Sequence, residues 1–182
     1  MWSALAAAAV LAFSTPEGIA KTPFVVAADD GVTLYAVEYR QDPKAHHRTV
    51  IIVGDGYEGT DSDEVDRLAE ALFIRGLDVV VWDRRGTGRS EGRWDFGASD
   101  VSDLMTIVRA VDSRTFGHEL GIFGIGSGGV AALQVAAKTA KVQALALYGV
   151  GALGAGESWS ALTDPREVPG RLLMRLQGVR PG

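Results

Sequence analysis

Cysteine is absent from the 182 residues. That excludes a disulfide framework, a thiolate zinc site and a cysteine nucleophile. Histidine is scarce: His46, His47 and His118 are the whole set, and no two of them have the i, i+4 spacing of a helical metal site. A zinc enzyme is therefore not expected, and no metal ligands are assigned. Positive charge is not in excess either. Lys and Arg number 18 against 23 Asp and Glu, giving a net charge of −5 and a pI near 5.2. Nucleic acid is a poor partner for such a surface, because phosphate binding needs a basic face. No apolar run has the ~20 residues of a membrane-spanning helix.

What is present is ordinary for a soluble globular protein: 47% hydrophobic and 23% charged residues. The length suits one domain able to bury its own core. The apolar run Trp2–Phe13 has the length of a secretory signal's core, with Gly18 and Ala20 as small residues before Lys21. Residues 1–20 are thus read as a signal peptide directing the chain to the periplasm or outside. The alternative is a short N-terminal helix on a cytoplasmic protein, since no Lys or Arg precedes the run. The remainder divides into a core at 21–150 and a Gly- and Pro-rich segment at 151–182, read as a partial lid or tail.

Phe24–Ala28 and Val32–Val37 flank Asp29-Asp30-Gly31, a turn signal for a hairpin. The second of these strands, with polar residues between its apolar ones, is expected at an edge. Thr49–Val53, Val79–Trp82, Leu120–Phe123 and Val142–Tyr148 are apolar runs of the kind that forms strands buried on both faces. Between them lie helical patterns: Val65, Leu68, Ala69, Leu72 and Phe73 after a cap at Asp61 or Ser62; Val101, Leu104, Val108 and Val111; Val130, Leu133, Val135 and Ala136. The order is hairpin, then β-α-β-α-β-α-β. It predicts an α/β fold with a mostly parallel sheet and helices on both faces.

Ligands in open α/β sheets gather at the carboxyl ends of the strands. Those ends carry Gly54–Gly59, Asp83–Gly92 and Gly124–Gly129. The middle loop reads Asp83-Arg84-Arg85-Gly86-Thr87-Gly88-Arg89-Ser90-Glu91-Gly92. Here the sequence resembles the α/β-hydrolase family, whose loop after the fourth strand reads D-x-R-G-x-G-x-S-x-G. The resemblance spans about residues 24–155 and implies a structural role for Asp83, Arg85, Gly86, Gly88 and Ser90. It also implies a nucleophile elbow, G-x-S-x-G-G, at Gly124-Ile125-Gly126-Ser127-Gly128-Gly129. Aligning Gly124, Gly128 and Gly129 on the pattern's glycines puts Gly126 in the nucleophile slot. The backbone N–H groups of Ser127 and Gly56 then take the oxyanion-hole positions. A one-residue shift would make Ser127 the catalytic nucleophile, but Ile125 would crowd the turn. Asp55 at the mouth opposes the charge an oxyanion hole stabilises.

The family places its acid and histidine after the nucleophile. No histidine follows His118, and Asp164 and Glu167 are weak candidates for the acid. The resemblance therefore implies hydrolysis of ester or amide bonds in general, weak or absent in this chain, with no cofactor and a small-molecule ester or amide as ligand. A degenerate relative that binds without hydrolysing is the alternative. A third reading takes Gly124–Gly129 as G-x-G-x-x-G, a nucleotide or phosphate loop, though no acid ends the next strand at Tyr148-Gly149. The family's last two strands find no counterpart, so Val142–Tyr148 becomes an apolar edge. Such an edge predicts a homodimer through that strand, or cover by the tail with Arg171, Leu172, Leu173, Met174 and Leu176.

Overall fold

A computed structural model describes residues 19–41, 48–115 and 119–150. Residues 1–18 of the signal-like N-terminus, the three histidines, Asp164, Glu167 and the tail all lie outside the described residues. Within the described residues, six strands and three helices follow in order: β1 Lys21–Ala27, β2 Thr33–Tyr39, β3 Arg48–Val53, α1 Asp63–Ile74, β4 Leu77–Trp82, α2 Asp100–Thr115, β5 Glu119–Ile125, α3 Gly126–Lys138 and β6 Val142–Tyr148. They build one sheet of order β1-β2-β4-β3-β5-β6. The β1–β2 hairpin and the β2–β4 pair are antiparallel, and β4, β3, β5 and β6 run parallel.

The central strands are apolar over most of their length because both of their faces are covered. Ile51, Val53, Val80 and Trp82 pack with Leu104, Ile107 and Val108 of α2 and with Ala131, Ala132 and Val135 of α3. Their neighbours Ile52, Val79 and Val81 point the other way, onto Val65 and Ala69 of α1. Each buried Val, Leu or Ile side chain among them stabilises the fold by about 1.5–3 kcal/mol relative to exposure.

The second strand departs from its expected place. β1 forms the edge, and β2 lies inside the sheet between β1 and β4. The polar alternation that suggested solvent hides a buried carboxylate held by two half-exposed arginines. Glu38 is 2% exposed, and its carboxylate meets Arg114 at 3.1 Å and Arg40 at 3.4 Å.

Two helix starts differ in how they are capped. Ser62 caps α1 by accepting the Val65 N–H. The residue before α3 is Ile125, which has no capping side chain. Gly124 and Gly128 let α3 press onto the sheet: a Cβ on Gly124 would strike the Gly129 backbone, and one on Gly128 would strike the carbonyls of Val53 and Gly54. Among the described residues, no helix is long and apolar enough to cross a membrane.

Candidate functional site at the β5–α3 turn

Three loops meet at the carboxyl ends of β3, β4 and β5. They bring together Asp55, Gly56, Arg84, Gly126 and Ser127. Gly126 turns the chain from β5 into α3 with φ +52°, a left-handed conformation that costs an L side chain about 1–2 kcal/mol. A Cβ built there would fall inside contact distance of the Asp55 carboxylate. That carboxylate supplies the cap Ile125 lacks. Its Oδ1 accepts the Ser127 N–H at 2.8 Å and the Ser127 hydroxyl at 2.7 Å. The Ser127 hydroxyl oxygen in turn accepts from the Gly56 N–H and from Arg84 Nη1, both at 3.1 Å. The Ser127 N–H, foremost, and then its hydroxyl hold the Asp55 carboxyl below the usual carboxylate range. A carboxylate so stabilised is a poor proton acceptor.

Arg84 sits beneath this group. Its side chain is 2% exposed and forms a two-point ion pair with Asp100, with Nε donating to Oδ1 at 3.0 Å and Nη2 donating to Oδ2. It also donates to the Gly56 carbonyl at 3.1 Å. Burial pulls its guanidinium pKa down, yet an arginine keeps its charge under such conditions. The guanidinium lies 4.7 Å from the Trp94 ring centroid, and Trp94 contacts Tyr57 and Phe96.

The Asp83–Gly92 loop is knitted by its own side chains. Buried Asp83 accepts from the Thr60 N–H at 2.6 Å, the Thr60 hydroxyl at 2.9 Å and the Arg89 N–H at 2.9 Å. A Cβ on Gly88 would collide with that carboxylate, and one on Gly86 with the Trp94 backbone. Ser90 donates to the Asp83 carbonyl at 2.6 Å and accepts the Tyr35 N–H at 2.9 Å. Arg85 pairs with Asp103 and with Asp30, and these bonds, Asp103 first, push its pKa up. These residues join loops and strands and are not part of the Asp55–Ser127 cluster. The sequence reading missed Arg84, Asp100, Tyr57, Trp94 and Phe96; Arg84 occupies an unspecified position of the loop pattern. A cavity of about 340 Å3 lined by Tyr35, Tyr39, Asp61, Asp63 and Asp66 shares no residue with the cluster.

Comparison with known proteins follows the same lines. The family model Hydrolase_4 (serine aminopeptidase, S33) matches residues 45–174. Among solved structures, an esterase of Pyrococcus furiosus superposes with TM-score 0.63 at 19% identity, covering 70% of this chain and 48% of that one. A hypothetical protein of Pseudomonas aeruginosa gives 0.63 at 22%, covering 74% and 44%. A serine hydrolase of Xanthomonas campestris described as lacking a lid gives 0.61 at 22%, covering 71% and 61%. The chain thus spans about half the length of the first two. No curated protein sequence matches it. With its sheet order, its helices on both faces and a family match over more than half its length, the chain belongs to the α/β hydrolases of the serine aminopeptidase S33 family.

Proposed function

We propose that this chain carries the family's fold and a ligand-binding mouth but does not itself hydrolyse esters or amides. One observation carries the reading. At the turn where the resemblance expects a nucleophile, Gly126 has no side chain, and the Asp55 carboxylate lies where one would begin. The two N–H groups that the resemblance assigns to an oxyanion already have acceptors: Ser127 donates to Asp55, and Gly56 to the Ser127 hydroxyl. An anion fixed there opposes the charge that develops on an attacked carbonyl. Ser127 has an oxygen, but its proton is held by a carboxylate of lowered pKa. The same occupancy of the α3 N-terminus argues against a phosphate ligand on Gly124–Gly129. The ligand class of this reading remains a small ester or amide, bound and not cleaved.

The test is turnover of p-nitrophenyl acetate together with labelling by a fluorophosphonate. The expected result is hydrolysis at the buffer rate, unchanged by Ser127→Ala, with no covalent label. Stoichiometric labelling of Ser127 would overturn the reading.

A further inference from the structure

We infer that the aromatic corner of Tyr57, Trp94 and Phe96, which borders the β5–α3 turn, binds a bulky, weakly hydrated cation of the trimethylammonium class. Phe96 is 89% exposed and Tyr57 67%. The Trp94 ring lies 4.9 Å from that of Tyr57 and 6.3 Å from that of Phe96, centroid to centroid. Phe96 also has φ +58°, a conformation of net cost for a bulky residue. The fold gains little from a strained, solvent-facing ring, whereas a ligand lying against it would.

Charge decides which ligand. Aromatic faces attract cations, and this cluster already holds one, the Arg84 guanidinium over Trp94. That single guanidinium has three carboxylates about it: Asp100 in an ion pair, with Asp55 and Asp95 within electrostatic reach. An anion would meet Asp55 and Asp95. A neutral acyl group would cover the rings while stripping water from those carboxylates. A large cation gains on both counts, since its charge is diffuse and its methyl groups are apolar. Arg93, exposed beside Trp94, and the Arg84 guanidinium already over that ring are the charges that work against it.

The inference rests on the proposed function only in treating this mouth as a ligand site, and its test involves no turnover. Choline and its neutral carbon isostere 3,3-dimethylbutan-1-ol are titrated against the isotopically labelled chain, and amide and indole shifts are followed. Choline should shift Trp94 and Phe96 saturably, and the isostere should bind about fivefold more weakly, as one cation–π contact of about 1 kcal/mol requires. Phe96→Ala, with an unchanged melting midpoint, should weaken choline binding by a similar factor, and Phe96→Tyr should restore it. Arg93→Gln should strengthen it and Asp95→Asn weaken it. Equal binding of the isostere, unsaturable shifts, or a Phe96→Ala variant that binds like the wild type would overturn the inference. Failure there leaves inertness toward esters standing, and ester turnover leaves the cation site standing.

Discussion

The carboxylate of Asp55 caps α3 through the backbone of Ser127, a residue 72 positions further along the chain. A side chain on neighbouring Gly126 would compete with it for the same space. The two requirements give a coupling that mutagenesis can read. Gly126→Ala should lose about 2–3 kcal/mol, from the left-handed backbone and from the crowding. In an Asp55→Gly background the same change should cost only about 1 kcal/mol, the backbone part alone. Denaturant unfolding of the four proteins measures this, and strict additivity would refute it.

The same carboxylate has a pH signature. Its folded pKa is depressed, so its stabilising effect is complete above the unfolded carboxylate range, near 3.9. That effect is lost as pH falls through the folded value. Asp55→Ala should therefore cost about 1 kcal/mol at neutral pH, the usual worth of a helix cap. The gap from the wild type should close below about pH 4. A gap that persists undiminished in acid would show that the charge plays no part.

Buried and exposed ion pairs should separate sharply. Asp100→Ala leaves the Arg84 guanidinium buried without its partner, and a loss of about 3–5 kcal/mol is expected. Asp29→Ala removes the exposed partner of Arg109, whose side chains are 73% and 50% exposed, and should cost at most about 1 kcal/mol. Melting curves of both variants at matched salt decide the matter. Similar losses would mean that Arg84 finds another acceptor.

Among the described residues, β6 forms one edge of the sheet, with Gln143, Ala144, Ala146 and Tyr148 exposed. Unpaired backbone groups on an apolar edge favour pairing with a second copy. Sedimentation should show association that rises with concentration and is weakened by Ala144→Lys, while β6 amides become slower to exchange. A monomer at every concentration, with rapid exchange along β6, would refute this.

The sequence was most informative where chemistry is local. Apolar runs placed β3, β4, β5 and β6, the Asp61-Ser62 pair announced the start of α1, where Ser62 proves to be the cap, and the Asp83–Gly92 pattern marked a loop whose side chains hold it together. It was misleading where the partner is distant in the chain. Glu38 looked like a solvent-facing residue of an edge strand because nothing nearby in sequence reveals Arg114, 76 residues on. Asp55 was legible as an acid at the mouth but not as the cap of α3. That role depends on β3 and β5 being neighbours in the sheet, although β4 lies between them in sequence. Arg84 and Asp100 belong to the same class: two charges 16 residues apart whose pairing requires the intervening loop to fold back.

The glycines that seat α3 against the sheet also fix what can move. With Gly124 backed onto Gly129, and Gly128 onto the ends of Val53 and Gly54, the first turn of the helix rests on backbone, with no cushion of side chains there on which to slide or tilt. That close packing makes the turn a tightly seated floor. Any widening of the proposed ligand mouth above it should come from the two loops that carry Tyr57 and Trp94, so exchange of a ligand there should be timed by those loops while the helix stays still.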